Sequence, residues 1–148
     1  FAMLISKCNK PGKLIIEAGS IKELFEVFKL QASDYWNTHY SFGKKTRYIP
    51  KNTGIEASKT IIINAIIPMI FAYGKYTGTE SYKTKAMDLY RALTPENNSI
   101  IRKWQSIGIK PLDALESQAL IELNQYYCKQ KRCLECRIGN YLLRNSSV

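Results

Sequence analysis

The stretch that decides the fold is Ile61-Ile62-Ile63-Asn64-Ala65-Ile66-Ile67-Pro68-Met69-Ile70-Phe71. Its β-branched residues would suit a buried strand from Ile61 to Ile67. The apolar character, however, begins at Ile55 and continues past Pro68 to Tyr73, which favours a helix. Apolar residues cover nearly every side of that helix, so it is expected to be central and packed all round. Pro68 should kink it, because proline removes one backbone donor and clashes with the preceding turn.

Working outward, amphipathic helices with recognisable ends account for most of the chain. Ser20-Ile21-Lys22-Glu23 is a capping box: the serine can accept from the Glu23 amide while the glutamate reaches back. Ile21, Leu24, Phe25 and Phe28 then share a face, predicting a helix from about Ile21 to Leu30. Beyond the central helix, Tyr82, Ala86, Leu89, Tyr90 and Leu93 keep helical spacing, as do Ile100, Ile101, Trp104 and Ile107, with Gly108 placed to stop the latter helix. Asp113 and Glu116 form a second capping pair. They open a helix that carries Leu115, Ala119, Leu120, Leu123, Tyr126 and Tyr127 and ends at Cys128. A short turn from Cys136 to Leu143 closes the ordered part, and Arg144 to Val148 read as a frayed tail. Residues 31–54 are irregular but rich in rings (Tyr35, Trp36, His39, Tyr40, Phe42, Tyr48) and punctuated by Gly43, Pro50 and Gly54. Such a segment is either a packed loop or a binding surface.

No repeat, low-complexity segment or linker interrupts this pattern. The expectation is an all-α fold over residues 1–148: one compact domain of about six helices, with a kinked central buried helix and a C-terminal cysteine loop. The apolar opening Phe1 to Ile5 looks like the tail of a helix begun upstream, so the chain reads as the C-terminal fragment of a longer protein. That opening is shorter than the hydrophobic region of a signal peptide. The run from Ile61 to Phe71 is broken by Asn64 and Pro68 and falls short of the roughly 18 consecutive apolar residues of a membrane span. A cytoplasmic protein with no membrane partner is therefore expected.

The 148 residues are 45% hydrophobic and 23% charged, a globular balance. Lys and Arg number 22 against 12 Asp and Glu, a net charge of +10. Such an excess attracts polyanions, phosphate backbones above all. Solubility, or a face for an acidic partner domain, is the bland alternative. Basic residues group at Lys44, Lys45, Arg47 and Lys51, at Lys83, Lys85 and Arg91, at Arg102 and Lys103, and at Lys129, Lys131, Arg132, Arg137 and Arg144. The first group interleaves with Tyr40, Phe42 and Tyr48, the combination that single-stranded nucleic acid uses, with phosphates on charges and bases on rings. The competing reading makes those rings core and the lysines a solvated edge.

Cys128-x4-Cys133-x2-Cys136 is the most specific local signal. Three thiols within nine residues can converge on one ion, and the two-residue gap is a knuckle spacing of zinc and iron–sulfur loops. A closed tetrahedral site needs a fourth ligand, for which only Cys8 and His39 offer a thiol or an imidazole, both far away in sequence. Reduced structural thiols and a disulfide or redox pair remain open alternatives. For the redox reading, Lys131, Arg132 and Arg137 would favour thiolates. His39, the only histidine, has no evident nucleophile or orienting partner and reads as a hydrogen-bonded structural residue. No paired-carboxylate site stands out, and none of the eight glycines falls in a phosphate-loop spacing. No catalytic centre is expected in this chain.

Several segments together resemble an uncharacterised bacterial family, a domain of unknown function. They are Tyr35-Trp36-Asn37-Thr38-His39-Tyr40 with Phe42-Gly43; Ile66-Ile67-Pro68 with Phe71-Ala72-Tyr73-Gly74-Lys75; Ser117-Gln118-Ala119-Leu120; and Tyr127-Cys128 with Cys133-Leu134-x-Cys136-x-Ile138-Gly139. The resemblance is to the C-terminal half of that family and covers nearly the whole chain, the three loop cysteines included. It implies an N-terminal half similar to restriction-endonuclease-like nucleases, which would make a basic helical companion a nucleic-acid platform. It carries over no catalytic residue. A more distant similarity, to helix-hairpin-helix DNA glycosylases with their iron–sulfur loop, stops at three of four cysteines and lacks the glycine-rich hairpin.

The leading expectation is thus a non-catalytic basic helical domain that binds nucleic acid or another polyanion, through Lys44, Lys45, Arg47, Lys129, Lys131, Arg132 and Arg137. Its alternatives are an interaction domain packing on its own N-terminal half, and an enzyme domain with zinc, an iron–sulfur cluster or thiols at Cys128, Cys133 and Cys136.

Overall fold

A computed structural model of the chain describes residues 11–145; the expectations for Phe1 to Ile5, Cys8 and residues 146–148 lie outside them. The chain is mostly helical, 63% helix against 5% strand, as its periodicity predicts. It divides into two compact units, Phe1–Leu89 and Tyr90–Val148.

The first unit begins with α1 (Pro11–Glu17), which its sequence does not announce with a cap. It is fixed by burial of Ile15 and of Ala18 just beyond its end. Next, α2 (Ile21–Val27) has the expected start. Ser20 Oγ accepts from the Glu23 amide at 3.3 Å, and the Glu23 carboxylate returns to accept from Gly19 N–H at 2.9 Å. The helix stops at Val27 rather than Leu30, because Leu30 and Ala32 have other backbone partners. Thr53 N–H donates to the Leu30 carbonyl and Ala32 N–H to the Lys51 carbonyl, both at 2.8 Å, around an antiparallel bridge between Gln31 and Asn52.

The ring-rich segment between these bonds is organised rather than irregular. It holds the single turn α3 (Asp34–Asn37) and a small antiparallel hairpin, β1 (His39–Ser41) and β2 (Lys44–Lys45). Its entry and exit are adjacent, the signature of an Ω-type excursion.

From Ile55 to Thr77 the chain is helical throughout: α4 (Ile55–Ile61), a π turn over Ile62–Ile66, and α5 (Ile67–Thr77). The rival strand is excluded. Ile67 N–H donates five residues back, to the Ile62 carbonyl. Pro68 sits one residue further on, inside the continuous helix, where it has no N–H to give to the preceding turn. The distortion expected at the proline takes the form of this widened turn.

Ile62, Ile63, Ile66, Ile67 and Ile70 are buried, together with Leu24, Phe28, Ala86 and Leu89, and form the core of the unit. The expectation of packing on all sides is corrected: Ile61, Met69, Phe71, Tyr73 and above all Tyr76, 90% exposed, lie at the surface. One stripe is enough to fill the core of a unit this small. At 23 residues the whole helix is long and apolar enough to cross a membrane by length and composition, which the broken run from Ile61 to Phe71 did not foretell. Its buried isoleucines give it the place of a core helix. Last comes α6 (Glu80–Arg91), along which the boundary between units falls.

In the second unit, α7 (Ser99–Ser106) is capped by Asn98, whose Oδ1 accepts from the amides of Ile100 and Ile101 at 3.0 Å each. Asp113 caps α8 (Ala114–Leu123) as predicted. Its Oδ1 accepts from Glu116 N–H at 2.9 Å, and Glu116 Oε2 accepts from Leu112 N–H at 2.7 Å. Trp104 Nε1–H donates to the Leu120 carbonyl at 3.2 Å, tying α7 to α8. Leu93, Ile101, Ala114 and Cys136 are buried. So is Ser117, whose hydroxyl donates to the Ala114 carbonyl and accepts from Glu96 N–H. A second π turn, Asn124–Cys128, carries α8 to the expected end. The predicted closing turn is a helix, α9 (Arg137–Asn145), which takes in Arg144 as well.

Candidate nucleic-acid interface and cysteine loop

The hairpin owes its shape to two residues. Phe42 and Gly43 form the turn between strands, and Gly43 takes φ +75°, a left-handed corner suited to glycine. Pairing is His39 with Lys45 and Ser41 with Lys44, leaving Tyr40 as the extra residue of a β-bulge. A bulge redirects the side chain it carries.

Beneath the turn lies a cluster of rings. Tyr35 stacks on His39 at 3.9 Å with the planes 4° apart, and Trp36 meets Phe42 edge-on at 5.0 Å. The Tyr35 hydroxyl accepts from Gly43 N–H at 3.0 Å. His39 Nδ1 lies 2.8 Å from the Tyr35 carbonyl oxygen. The Thr38 hydroxyl lies 3.0 Å from the same nitrogen. His39 is thus stacked and hydrogen-bonded within the cluster.

Above the cluster the surface is open. Phe42 is 81% exposed, Tyr40 66% and Tyr48 62%. Lys51 Nζ sits 3.5 Å from the centre of the Tyr40 ring and donates to the His39 carbonyl at 2.7 Å, a cation–π contact that fixes one face of the tyrosine. Lys44, Lys45 and Arg47 are exposed. Between residues 30 and 54 the chain carries four cations, these three and Lys51, against the one acid Asp34. The reading in which these rings are core therefore fails for Tyr40, Phe42 and Tyr48.

The second basic group belongs to the other unit. The cysteine loop leaves the π turn through hydrogen bonds from Arg132 N–H to the Tyr127 carbonyl at 2.9 Å and from Lys131 N–H to the Cys128 carbonyl at 3.1 Å. Lys131 adopts φ +53°, an uncommon conformation for a side chain of its size. Arg132 pairs with Glu135 and lies over the Tyr127 ring, so its charge serves the loop itself. Lys129, Lys131 and Arg137 are exposed.

Gly139 locks the loop onto α9. A β-carbon there would lie 2.5 Å from the Cys133 carbonyl oxygen and 3.0 Å from its Cα, so only glycine permits the approach. Asn140 Nδ2 donates to the Leu134 carbonyl at 3.2 Å.

Cys128 and Cys133 are exposed and Cys136 is buried; all three are free thiols. Although Cys128 is exposed, the partial desolvation of its thiol raises its pKa, and the neighbouring Cys136 and Cys133 raise it further. Among the described residues no group of three or more His, Cys, Asp or Glu side chains is arranged to hold a metal ion. A zinc or iron–sulfur reading of Cys128, Cys133 and Cys136 thus gains no geometric support. His39, a candidate fourth ligand, has its Nδ1 held at the Tyr35 carbonyl, and its Nε2 is left uncommitted by that bond.

A family model described as a protein of unknown function, DUF2851, matches residues 1–99. The chain belongs to this family. The part that DUF2851 matches includes the Tyr35 to Gly43 motif and the Ile66 to Lys75 motif. It ends at Ser99, so the cysteine loop lies outside it, whereas the resemblance read from sequence ran over nearly the whole chain. Comparison of this DUF2851 member with curated proteins and with solved structures gives no match.

The basic residues of this segment are legible in the sequence, but what shapes the hairpin is less so. The signal was present in Phe42-Gly43 between two short polar segments, a two-residue turn with glycine at its second corner. The Asn98 cap, three residues before the buried Ile101, was also readable and passed over.

Proposed function

We propose that this chain is a non-catalytic helical domain that binds nucleic acid or another polyanion. The observation that carries the reading is the 30–54 excursion, where Lys44, Lys45 and Arg47 are exposed and faced with one acid. Cations held on a rigid hairpin give a phosphate backbone fixed contacts, each of which releases counterions on binding. Lys129, Lys131 and Arg137 form a separate exposed basic group in the second unit. In the full-length protein this platform serves a restriction-endonuclease-like N-terminal half, in the cytoplasm.

The test is binding of a labelled oligonucleotide across a salt series. Affinity should fall steeply with salt, and Lys44→Gln, Lys45→Gln and Arg47→Gln should each reduce the slope by roughly 0.7–0.9 if each meets one phosphate. No binding to DNA, RNA or heparin at low salt would remove the proposal.

A second reading, a domain that packs on a protein partner such as its own N-terminal half, is favoured by α9. Every residue of that helix for which burial is defined is exposed or only partly buried, and Ile138, Tyr141, Leu142 and Leu143 are each more than half exposed. Hydrogen exchange that slows over α9 only when the N-terminal half is present would support it.

A further inference from the structure

We infer that the hairpin takes single-stranded nucleic acid and holds it by stacking unpaired bases on Phe42, Tyr40 and Tyr48. This rests on the polyanion-binding reading but goes further, naming the strand form and the residues that select it.

The rings carry the argument. Phe42 occupies the first corner of the turn and is 81% exposed, yet it is held in place. Trp36 packs edge-on beneath it at 5.0 Å, and the Tyr35 hydroxyl pins the next residue, Gly43. A large apolar ring fixed in open water is costly to leave uncovered. Tyr40 is re-aimed by the bulge, and Lys51 covers one of its faces, so a single face remains. Tyr48 adds a third exposed ring a few residues on. Lys44, Lys45 and Arg47 lie between them in sequence.

A duplex does not fit this surface. Its base faces already stack on each other, and a ring can reach them only by forcing a step apart, at a cost of a few kcal/mol. Unpaired bases offer free π-faces, and stacking on an aromatic side chain is favourable and tolerant of sequence. Three rings and the cations between them match a strand that presents bases to one and phosphates to the other. Tyr35, Trp36 and His39 take no base: they pack on one another and position the platform.

The experiment compares a labelled 12-nucleotide oligo-dT with a 12-base-pair duplex, using the whole chain and salt titrations of both. The single strand should bind at least tenfold more tightly. Phe42→Ala should weaken single-strand binding roughly 5- to 100-fold while leaving the salt slope unchanged, and Phe42→Tyr should restore most of the loss. Because the Phe42 ring is exposed, circular dichroism should show an unaltered helical fold in both variants. A duplex bound as tightly as the single strand, or a Phe42→Ala variant that binds the single strand normally, overturns this inference and leaves polyanion binding standing. Loss of binding to both forms in the unaltered chain overturns the two together.

Discussion

Replacing Gly139 with alanine sets two known effects against each other. Within a helix interior, alanine is favoured over glycine by about 1 kcal/mol, and Gly139 lies inside α9. Against this, the new methyl would meet the Cys133 carbonyl oxygen at 2.5 Å and the Cys133 carbonyl carbon at 3.1 Å. These are backbone atoms and cannot swing aside as a side-chain tip could. Overpacking of this kind costs about 1–3 kcal/mol, and a contact this short belongs at the upper end. The net expectation is a loss of about 1–2 kcal/mol, expressed as separation of the cysteine loop from α9. Thiol labelling provides the assay. In the unaltered chain Cys128 and Cys133 are exposed while Cys136 is 8% exposed, so among the three loop thiols, followed individually by peptide mass, the first two should label quickly and Cys136 slowly. In Gly139→Ala, Cys136 should label far faster, and amides of residues 132–140 should exchange sooner. If the variant instead proves more stable and Cys136 stays protected, the close approach at Gly139 is not what holds the loop.

Three further expectations concern local chemistry. Asp113→Ala removes the acceptor for Glu116 N–H and should lower stability by about 1 kcal/mol, read from the urea midpoint, with Asp113→Asn losing much less. The Glu23 carboxyl is held below its ordinary range by the Gly19 amide and the Ser20 hydroxyl. Its contribution to stability is therefore complete above the ordinary carboxylate pKa and drains away as pH falls through the folded value; acid titration of Glu23→Gln should lack that component, and carboxyl NMR shifts locate it directly. The raised Cys128 thiol should be alkylated more slowly near neutral pH in the folded chain than in the unfolded one, with the difference closing as pH rises; equal rates would contradict it.

The helices were legible because their ends carry chemistry. Ser20 with Glu23 and Asp113 with Glu116 fix backbone amides that nothing else in the helix can satisfy, so those starts fell where expected. The stop of α2 was not legible, since Leu30 and Ala32 answer to partners some twenty residues away. The π turn was likewise hidden: Pro68 announces a disturbance, but whether the chain breaks, kinks or widens depends on what Ile62, Ile63, Ile66 and Ile67 pack against. In the 30–54 excursion, the basic group Lys44, Lys45 and Arg47 could be named from the sequence. The exposure of Phe42 could not, because a phenylalanine in a ring-rich segment is as well suited to a core. Only the Phe42-Gly43 corner and the Trp36 contact decide it. For Arg132, sequence counted a free cation where Glu135 had already taken it.

The two hydrogen bonds at residues 30–32 and 51–53 make neighbours of the points where the ring-bearing excursion leaves and rejoins the scaffold. Everything between them is a detour. Lengthening such a detour is cheap, about 0.6 kcal/mol per doubling. Its length, its charges and its rings can therefore drift through substitution, insertion or deletion without disturbing the isoleucine core. The excursion and the helices beneath it are thus nearly separable in energy: one can be rebuilt while the other stays folded.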